Sequence, residues 1–420
     1  MDFVNYTEQI PRKDRFDVVV AGGGVAGVAA ALSARRMDKT VLLLEKSFFL
    51  GGLATSGLIN FFVPMCNGRG KRIIRGMVEE LLQLAIRYGY DTIPKDWKNG
   101  EPREPTKQCF CSKYSPQIFA LAMTELVAGE GIDLRFDAQL SQALMQGGHC
   151  EGVIVQTKSG REFYEGSVFI DCTGDADLLS RAGVPTVTGK NYFTYIAHMA
   201  DLESCRRALD AQDIGKLVYW QHGGTADLYG HRHPEEMKTF TGTSGADVAE
   251  FLILNQRELF RKIKNQPRKS RDIVTLPGMP QFRTSCRIIG DYTLQPEDAY
   301  RHFEDSVGAI NDFDRRDYLF EAPYRTMVRS GYDNLLTAGR CTSGEGYAWD
   351  VLRVIPPAIV TGQAAGIAAA LAIDRKEPVF GLAVSALQDV LKKVGTPLHF
   401  DDEWIPAVKG PDEPMDDGEF

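Results

Sequence analysis

The sequence predicts an α/β fold: a parallel sheet carrying a small β meander, interrupted by an inserted α+β unit. Three observations lead there. Residues 16–21 form an apolar run that passes through Gly22-Gly23-Gly24 into an Ala-rich stretch and then a second apolar run at 40–44. Strand, turn, helix, strand makes a βαβ unit, whose strands are parallel and covered by helices. The same grammar returns at 334–339, followed by an apolar helix, while residues 185–320 mix aromatic and polar side chains around Gly- and Pro-bearing loops. With 420 residues, 44% of them hydrophobic, the chain can bury two cores. The expected division is a discontinuous domain over 15–185 and 321–375, an inserted cap over 186–320, and an extension over 376–420.

Each element has a local reason. The first strand covers 16–21, and the helix after the glycines runs to about residue 36. Ile74, Val78, Leu81, Leu82 and Ala85 repeat at helical spacing within 73–90. Residues 91–114, rich in Pro, Lys and Glu, read as a loop. Ser115-Pro116 starts the next helix, with Ser as N-cap and Pro in the first turn, and Gly129 and Gly131 suit its end. Residues 132–136 alternate as a strand. Short strands around Leu140, 153–155 and 162–164 are separated by Gly147-Gly148 and Ser159-Gly160 and form the meander. Residues 168–172 read as a further buried strand, ending at Thr173-Gly174-Asp175. In the insert, Ser244 followed three residues on by Asp247 predicts a capping box for a helix over 246–264. The final helix is expected over 356–373.

Composition excludes several classes. Lys+Arg number 48 and Asp+Glu 56, a net charge of −8 that argues against a nucleic-acid binder. Eight cysteines without a CxxC pair speak against a disulfide framework or a CxxC zinc site, and a reducing cytoplasm fits them. The uncharged stretches 18–34 and 354–373 are rich in Ala and Gly, so no membrane span is expected. Residues 401–420 hold eight acids and one base and read as a solvated acidic tail. The 41 glycines exceed the average share of roughly 7%, which means tight turns or backbone packed close to something.

The glycines then become specific. Gly22-x-Gly24-x-x-Gly27 stands between a strand and a helix, where the backbone turns sharply and free N–H groups favour a pyrophosphate. Glu45 ends the second strand, 18 residues after Gly27, where its carboxylate can accept hydrogen bonds from a ribose. An acid there disfavours a 2′-phosphate, so NAD and FAD remain. Gly51-Gly52-Leu53-Ala54-Thr55, Thr173-Gly174-Asp175 after the meander, and Ala338-Gly339-Arg340 before a Gly-bearing helix lean toward FAD, a longer cofactor touched by several distant segments.

This combination resembles the glutathione-reductase-like FAD superfamily. The likeness is nearest to the branch of succinate dehydrogenase and fumarate reductase flavoproteins, and more narrowly to a bacterial FAD-dependent oxidoreductase group. It rests on residues 18–27, 44–55, 169–185 and 334–371, roughly half the chain, and its most specific run is 353–366. The resemblance implies a Rossmann-like FAD-binding domain with a substrate-covering insert. It places Gly22, Gly24 and Gly27 around the pyrophosphate, and Glu45 and Lys46 on the adenosine side. Gly51, Gly52 and Leu53 would line the path to the ribityl chain, and Leu140 would meet adenine. Thr173, Gly174 and Asp175 would close over the phosphates, Gly339 and Arg340 would lie along the ribityl chain, and Ile355 and Pro356 would sit beneath the isoalloxazine. The histidine that carries covalent FAD in many relatives has no counterpart near Gly51, so noncovalent FAD is expected. Many relatives have an acid where Arg340 stands. A helix beginning at Pro356-Pro357 would aim its positive end at charge near the flavin N1.

On the substrate side, Arg283 and Arg287 stand four apart in a segment that resembles an Arg-rich element of the family, and either suits an anionic group or a structural ion pair. Tyr347 lies between two flavin-facing segments and suits proton donation, capping or packing. His198 is a further acid/base candidate. Cys66 and Cys341 fall in loops near the cofactor. His222, His231 and His233 lack partners at usable spacing, and no metal site is expected. The resulting function is hydride transfer between a small-molecule substrate and FAD, with the electron acceptor or donor and the oligomeric state open. The alternatives are an electron-transfer subunit serving a redox partner, a flavin-dependent nucleic-acid-modifying protein, or a non-catalytic FAD-binding scaffold.

Overall fold

A computed structural model of the chain describes residues 4–408. Its central sheet is built by β1 (Arg12–Ala21), β2 (Val41–Leu44), β3 (Asp133–Arg135), β4 (Gln139–Gln146), β5 (His149–Thr157) and β6 (Gly160–Asp171), in the order β3-β2-β1-β6-β5-β4. β1, β2 and β3 run parallel to one another, with Val18 level with Val41 and Leu42 level with Asp133. Residues 18–21 and all of β2 are buried, as parallel strands covered on both faces must be. A short late strand, β7 (Leu335–Thr337), returns from the far end of the chain to pair in parallel with β6, Leu335 level with Phe169. The fold is α/β, a Rossmann-like parallel sheet extended by a meander.

The two β segments expected at 162–164 and 168–172 are one strand. β6 is 12 residues long because its two halves have different neighbours. Its first half completes the meander against antiparallel β5, and its second half lies between β1 and β7. Gly166 and Ser167, which stand between them, form no turn: Gly166 pairs with Phe16 of β1, and the chain stays extended. β1 likewise begins earlier than its apolar run, since Arg12, Arg15 and Phe16 pair with β6 and Arg12 forms an ion pair with Glu165.

The helices cover this sheet. α1 (Val25–Arg35) lies against α2 (Ile355–Arg375), which starts and ends slightly outside the expected span. Their backbones approach so closely that a Cβ on Gly362 would stand 2.3 Å from the Ala26 carbonyl oxygen, so glycine is required there. α2 is the one described helix long and apolar enough to cross a membrane, and 94% of its most apolar window is buried within the fold. Met77–Ile86 and Pro116–Gly129 are helical, the latter capped by the Ser115 side chain as expected. The helix Val384–Lys393 lies in the C-terminal extension, where no element was expected.

Between β6 and β7 the chain builds a separate three-stranded antiparallel sheet with Ile196–Asp201 at its centre, flanked by Tyr219–His222 and Arg271–Thr275. The helix Gly245–Ile263 packs there through Phe251 and Leu259. Ser244 caps it by accepting the Asp247 N–H at 3.2 Å, but the reciprocal half of the capping box is absent. The Asp247 carboxylate instead accepts the N–H groups of Thr241 and Gly242, because a side chain shorter than Glu turns into the preceding loop. Of the acidic tail, Asp401, Asp402 and Glu403 are described, and the five acids at 412–419 lie outside the described residues.

Candidate cofactor cleft and its substrate side

The turn after β1 separates glycines that shape the backbone from one that faces open space. Gly22 has a φ of +103°, and its N–H donates to the Leu44 carbonyl at 2.7 Å, tying the turn to β2. A Cβ on Gly27 would lie 1.8 Å from the Gly22 carbonyl oxygen, so glycine is what lets α1 start directly behind the turn. A Cβ on Gly24 would meet nothing within 4 Å. Gly24 faces a cleft of about 400 Å³, whereas Gly27 stands behind its wall and makes no part of it.

Segments far apart in the chain converge on this cleft. Glu45, Lys46, Gly51, Gly52 and Leu53 line one stretch, Leu140 with Ala138 and Gln139 another, and Thr173 and Gly174 a third. Gly339, Arg340 and Ile355 close the far side. The buried Glu45 carboxylate accepts the N–H groups of Gly23 and Ser47, each at 2.7 Å, and so holds the glycine turn itself. Two further expected contact residues, besides Gly27, are placed otherwise. Asp175 is drawn away from the wall by Arg340 at 3.1 Å and by a short hydrogen bond from Ser285. Pro356 is buried in the first turn of α2, and the Ile355 side chain takes the wall position.

The start of α2 also differs from the expected row of free donors. Residues 355–357 are Ile-Pro-Pro, so only Ile355 carries an N–H, and the Ala358 N–H is satisfied by the Val354 carbonyl. What this end offers a developing negative charge is the helix dipole and a single donor.

The insert contributes residues that sequence reasoning did not single out. Gly278, Met279 and Pro280 line the cleft. The Gly278 N–H reaches the Ser56 carbonyl at 2.8 Å, and the buried Gln281 amide donates to the carbonyls of Gly57 and Ile196. Gln281 therefore clamps the insert's central strand to the loop that follows Gly51-Gly52. Arg353 also lines the cleft, paired to Asp350 at 2.5 Å. Its position one residue before the α2 N-cap was the available signal.

The two candidate arginines part company. Arg287 is buried against the Trp349 ring and donates to the Ile288 carbonyl and the Ser343 hydroxyl, which ties it to the framework although it borders the same cavity as Arg283. Arg283 is half-buried on a second cavity of about 610 Å³, and among the described residues its guanidinium has no hydrogen bond or ion pair. Burial, followed by repulsion from Arg353 and Arg340, pushes its pKa down to about 9, which still leaves it cationic at neutral pH. Tyr347 lines this second cavity and not the cofactor cleft. Its hydroxyl donates to Asp312 at 2.6 Å, and burial with the neighbouring Asp312 charge raises its pKa, so it holds its proton.

The remaining candidates stand apart from the cleft. His198 is buried on the insert's central strand, and burial lowers its pKa, leaving a neutral imidazole. Cys66 accepts the Phe110 N–H and Cys341 the Ala176 N–H, each at 3.2 Å, and both thiols are fully buried. His231 pairs with Asp227, while His233 lies between Phe193 and Met237.

Residues 17–273 and 246–391 match the family model described as FAD dependent oxidoreductase, and the chain belongs to that family. It is therefore an FAD-dependent oxidoreductase, and the glycine-lined cleft fits the cofactor: Gly24 presents open backbone where any side chain would intrude. A thioredoxin reductase from Ureaplasma parvum is 30% identical over 76 residues, a match that spans 18% of this chain and a quarter of that relative. Solved structures similar to the chain include a geranylgeranyl bacteriochlorophyll reductase-like protein from Thermoplasma acidophilum, 13% identical over 93% of this chain and 94% of that one, with a TM-score of 0.45. A flavoprotein/dehydrogenase from Cytophaga hutchinsonii is 11% identical over 90% and 84%, with a TM-score of 0.44.

Proposed function

We propose that this oxidoreductase exchanges a hydride between a small anionic substrate and a noncovalently held FAD, with the insert covering the site. When bound, FAD supplies the two-electron chemistry, and the protein supplies position and electrostatics. The observation that carries the reading is Arg283, whose half-buried guanidinium has no partner among the described residues and stands within electrostatic reach of Arg340 and Arg353. A buried cation without a counter-ion is costly, and an incoming carboxylate or phosphate would relieve that cost. Arg340 and Arg353 are held by Asp175 and Asp350, which leaves Arg283 to receive the anion and the other two to add field. Gln281 would keep the covering loop on the cleft and limit the entry of water. Cys66 and Cys341 are buried away from the cleft wall, and Cys172, which lies on it, is a buried thiol that burial keeps protonated, a set of positions that supports noncovalent attachment.

The test is anaerobic mixing of the purified yellow protein with hydroxy acids, amino acids and phosphorylated alcohols, set beside neutral sugars and amines. Bleaching by an anionic donor is expected. Bleaching by neutral donors alone would overturn the anionic assignment. Flavin that stays with acid-precipitated protein would overturn noncovalent attachment.

A further inference from the structure

Away from the cofactor cleft, three histidine and glutamate side chains meet where the C-terminal extension crosses a β hairpin. The hairpin pairs Ser306–Asn311 with Leu319–Pro323, and Glu321 lies on its second strand with no exposed surface. His302 approaches from the loop before the hairpin and His399 from the extension. Both turn Nδ1 toward the same Glu321 Oε1, at 2.6 and 2.9 Å. The other oxygen, Oε2, is held by the Phe303 N–H at 2.7 Å, so Oε1 is the one left facing the rings. Among the described residues no lysine or arginine pairs with this buried carboxylate; the side chains that face it are the two imidazoles.

We infer that His302, Glu321 and His399 form a binding site for one divalent transition-metal ion of the zinc class, which clips the C-terminal extension to the hairpin. The donor set is two imidazole nitrogens and one carboxylate oxygen, all within 4.8 Å of one another. Such a set suits zinc, cobalt or nickel and not calcium or magnesium, which take oxygen ligands. Ligands about 2.1 Å from a tetrahedral ion stand roughly 3.4 Å from each other, so each ring needs to swing outward by less than about 1 Å. Both rings are close to half exposed and have room to do so. The surroundings match the outer shell of a metal site. His302 Nε2 lies 2.9 Å from the Asp402 carboxylate, which would fix the tautomer that leaves Nδ1 free to bind metal. The Phe400 ring lies 4.4 Å from the His302 ring, centroid to centroid, and limits its rotation. The open side leaves the fourth position to water. The ligands are separated by up to 97 positions, which is why no spacing motif announced them.

The experiment is calorimetric titration of ZnCl2 into the flavin-loaded full chain after EDTA dialysis, with the flavin spectrum as a check on folding. One ion per chain is expected, together with a rise in melting temperature. His302→Ala and His399→Ala should each weaken binding at least tenfold and abolish the thermal shift. Asp402→Ala should weaken it roughly tenfold, as loss of an outer-shell carboxylate does. Because His399 is close to half exposed, its removal tests the site without emptying the core. No zinc binding by the wild-type chain, or undiminished binding by the His302→Ala/His399→Ala double variant, would overturn the inference. Neither result depends on flavin chemistry or on the identity of the substrate.

Discussion

The cofactor cleft and the proposed substrate side are built from different materials. The cleft is shaped largely by backbone: glycines at turns, strand ends, and the closely packed pair α1 and α2. Its geometry follows from where a Cβ is absent, and that can be written into a short stretch of sequence. The substrate side is built from long charged side chains, whose direction is set by neighbours distant in the chain. Arg283 and Arg287 show the consequence. They are the same residue type four positions apart and both line the second cavity, yet one is held by Trp349 and Ser343 while the other's guanidinium has no hydrogen bond or ion pair among the described residues. A backbone-built site should break through added volume, and a side-chain site through lost charge.

The largest expected effect tests that contrast within one motif. Gly24→Val should reduce FAD affinity by roughly 100-fold, about 2.7 kcal/mol, with an unchanged circular dichroism spectrum, since the new side chain enters the cleft alone. Gly27→Ala should instead abolish soluble folded protein, because its Cβ would collide with the Gly22 carbonyl. If both variants fold and both bind FAD, the division between cleft-facing and framework glycines is wrong.

Next in size is Arg283→Met. Loss of a hydrogen bond to a charged group costs about 1.5–3 kcal/mol, so kcat/KM for an anionic donor should fall about 10- to 100-fold at unchanged flavin content. Arg287→Met should show the opposite pattern, a lower melting temperature and much smaller kinetic loss in whatever protein remains folded. Equal kinetic losses in the two variants would erase the distinction between them.

A pH effect follows from Asp171, at the end of β6. Burial pushes its carboxyl up to about 6, even though the Leu179 N–H and the Thr173 hydroxyl and N–H donate to it. A raised folded-state pKa means the folded chain holds this proton more tightly than the unfolded chain. The contribution to stability is therefore present at low pH and is lost as pH rises from about 4 through about 6, on the order of 2 kcal/mol across that window. In thermal melts, Asp171→Asn should flatten this part of the wild-type profile. A parallel profile would remove Asp171 as its source.

The smallest effect is expected from Tyr347→Phe, which deletes the hydrogen bond to Asp312. Stability should fall by about 1 kcal/mol, and the rate of flavin bleaching by a donor should change less than about threefold. A loss of 100-fold or more would return Tyr347 to the reacting centre.

The sequence by itself determined the parts governed by neighbours in the chain. The βαβ unit, its glycine turn, the acid at the end of β2 and the Ser115 cap were legible because each depends on a few adjacent residues and their steric or hydrogen-bonding needs. Most of the cofactor wall was legible for the same reason, since a glycine at a strand end marks a backbone position whatever lies opposite. Only the tertiary structure decided the rest. It joined two expected β segments into one strand, because strand continuity depends on the partners alongside. It turned Asp175 toward Arg340 and Ser285, brought Met279 and Pro280 from the insert onto the cleft, and gathered His302, Glu321 and His399 from the hairpin and the C-terminal extension. The physical reason is reach: a backbone torsion is set within a turn, but a long side chain takes the direction that its distant partners leave it.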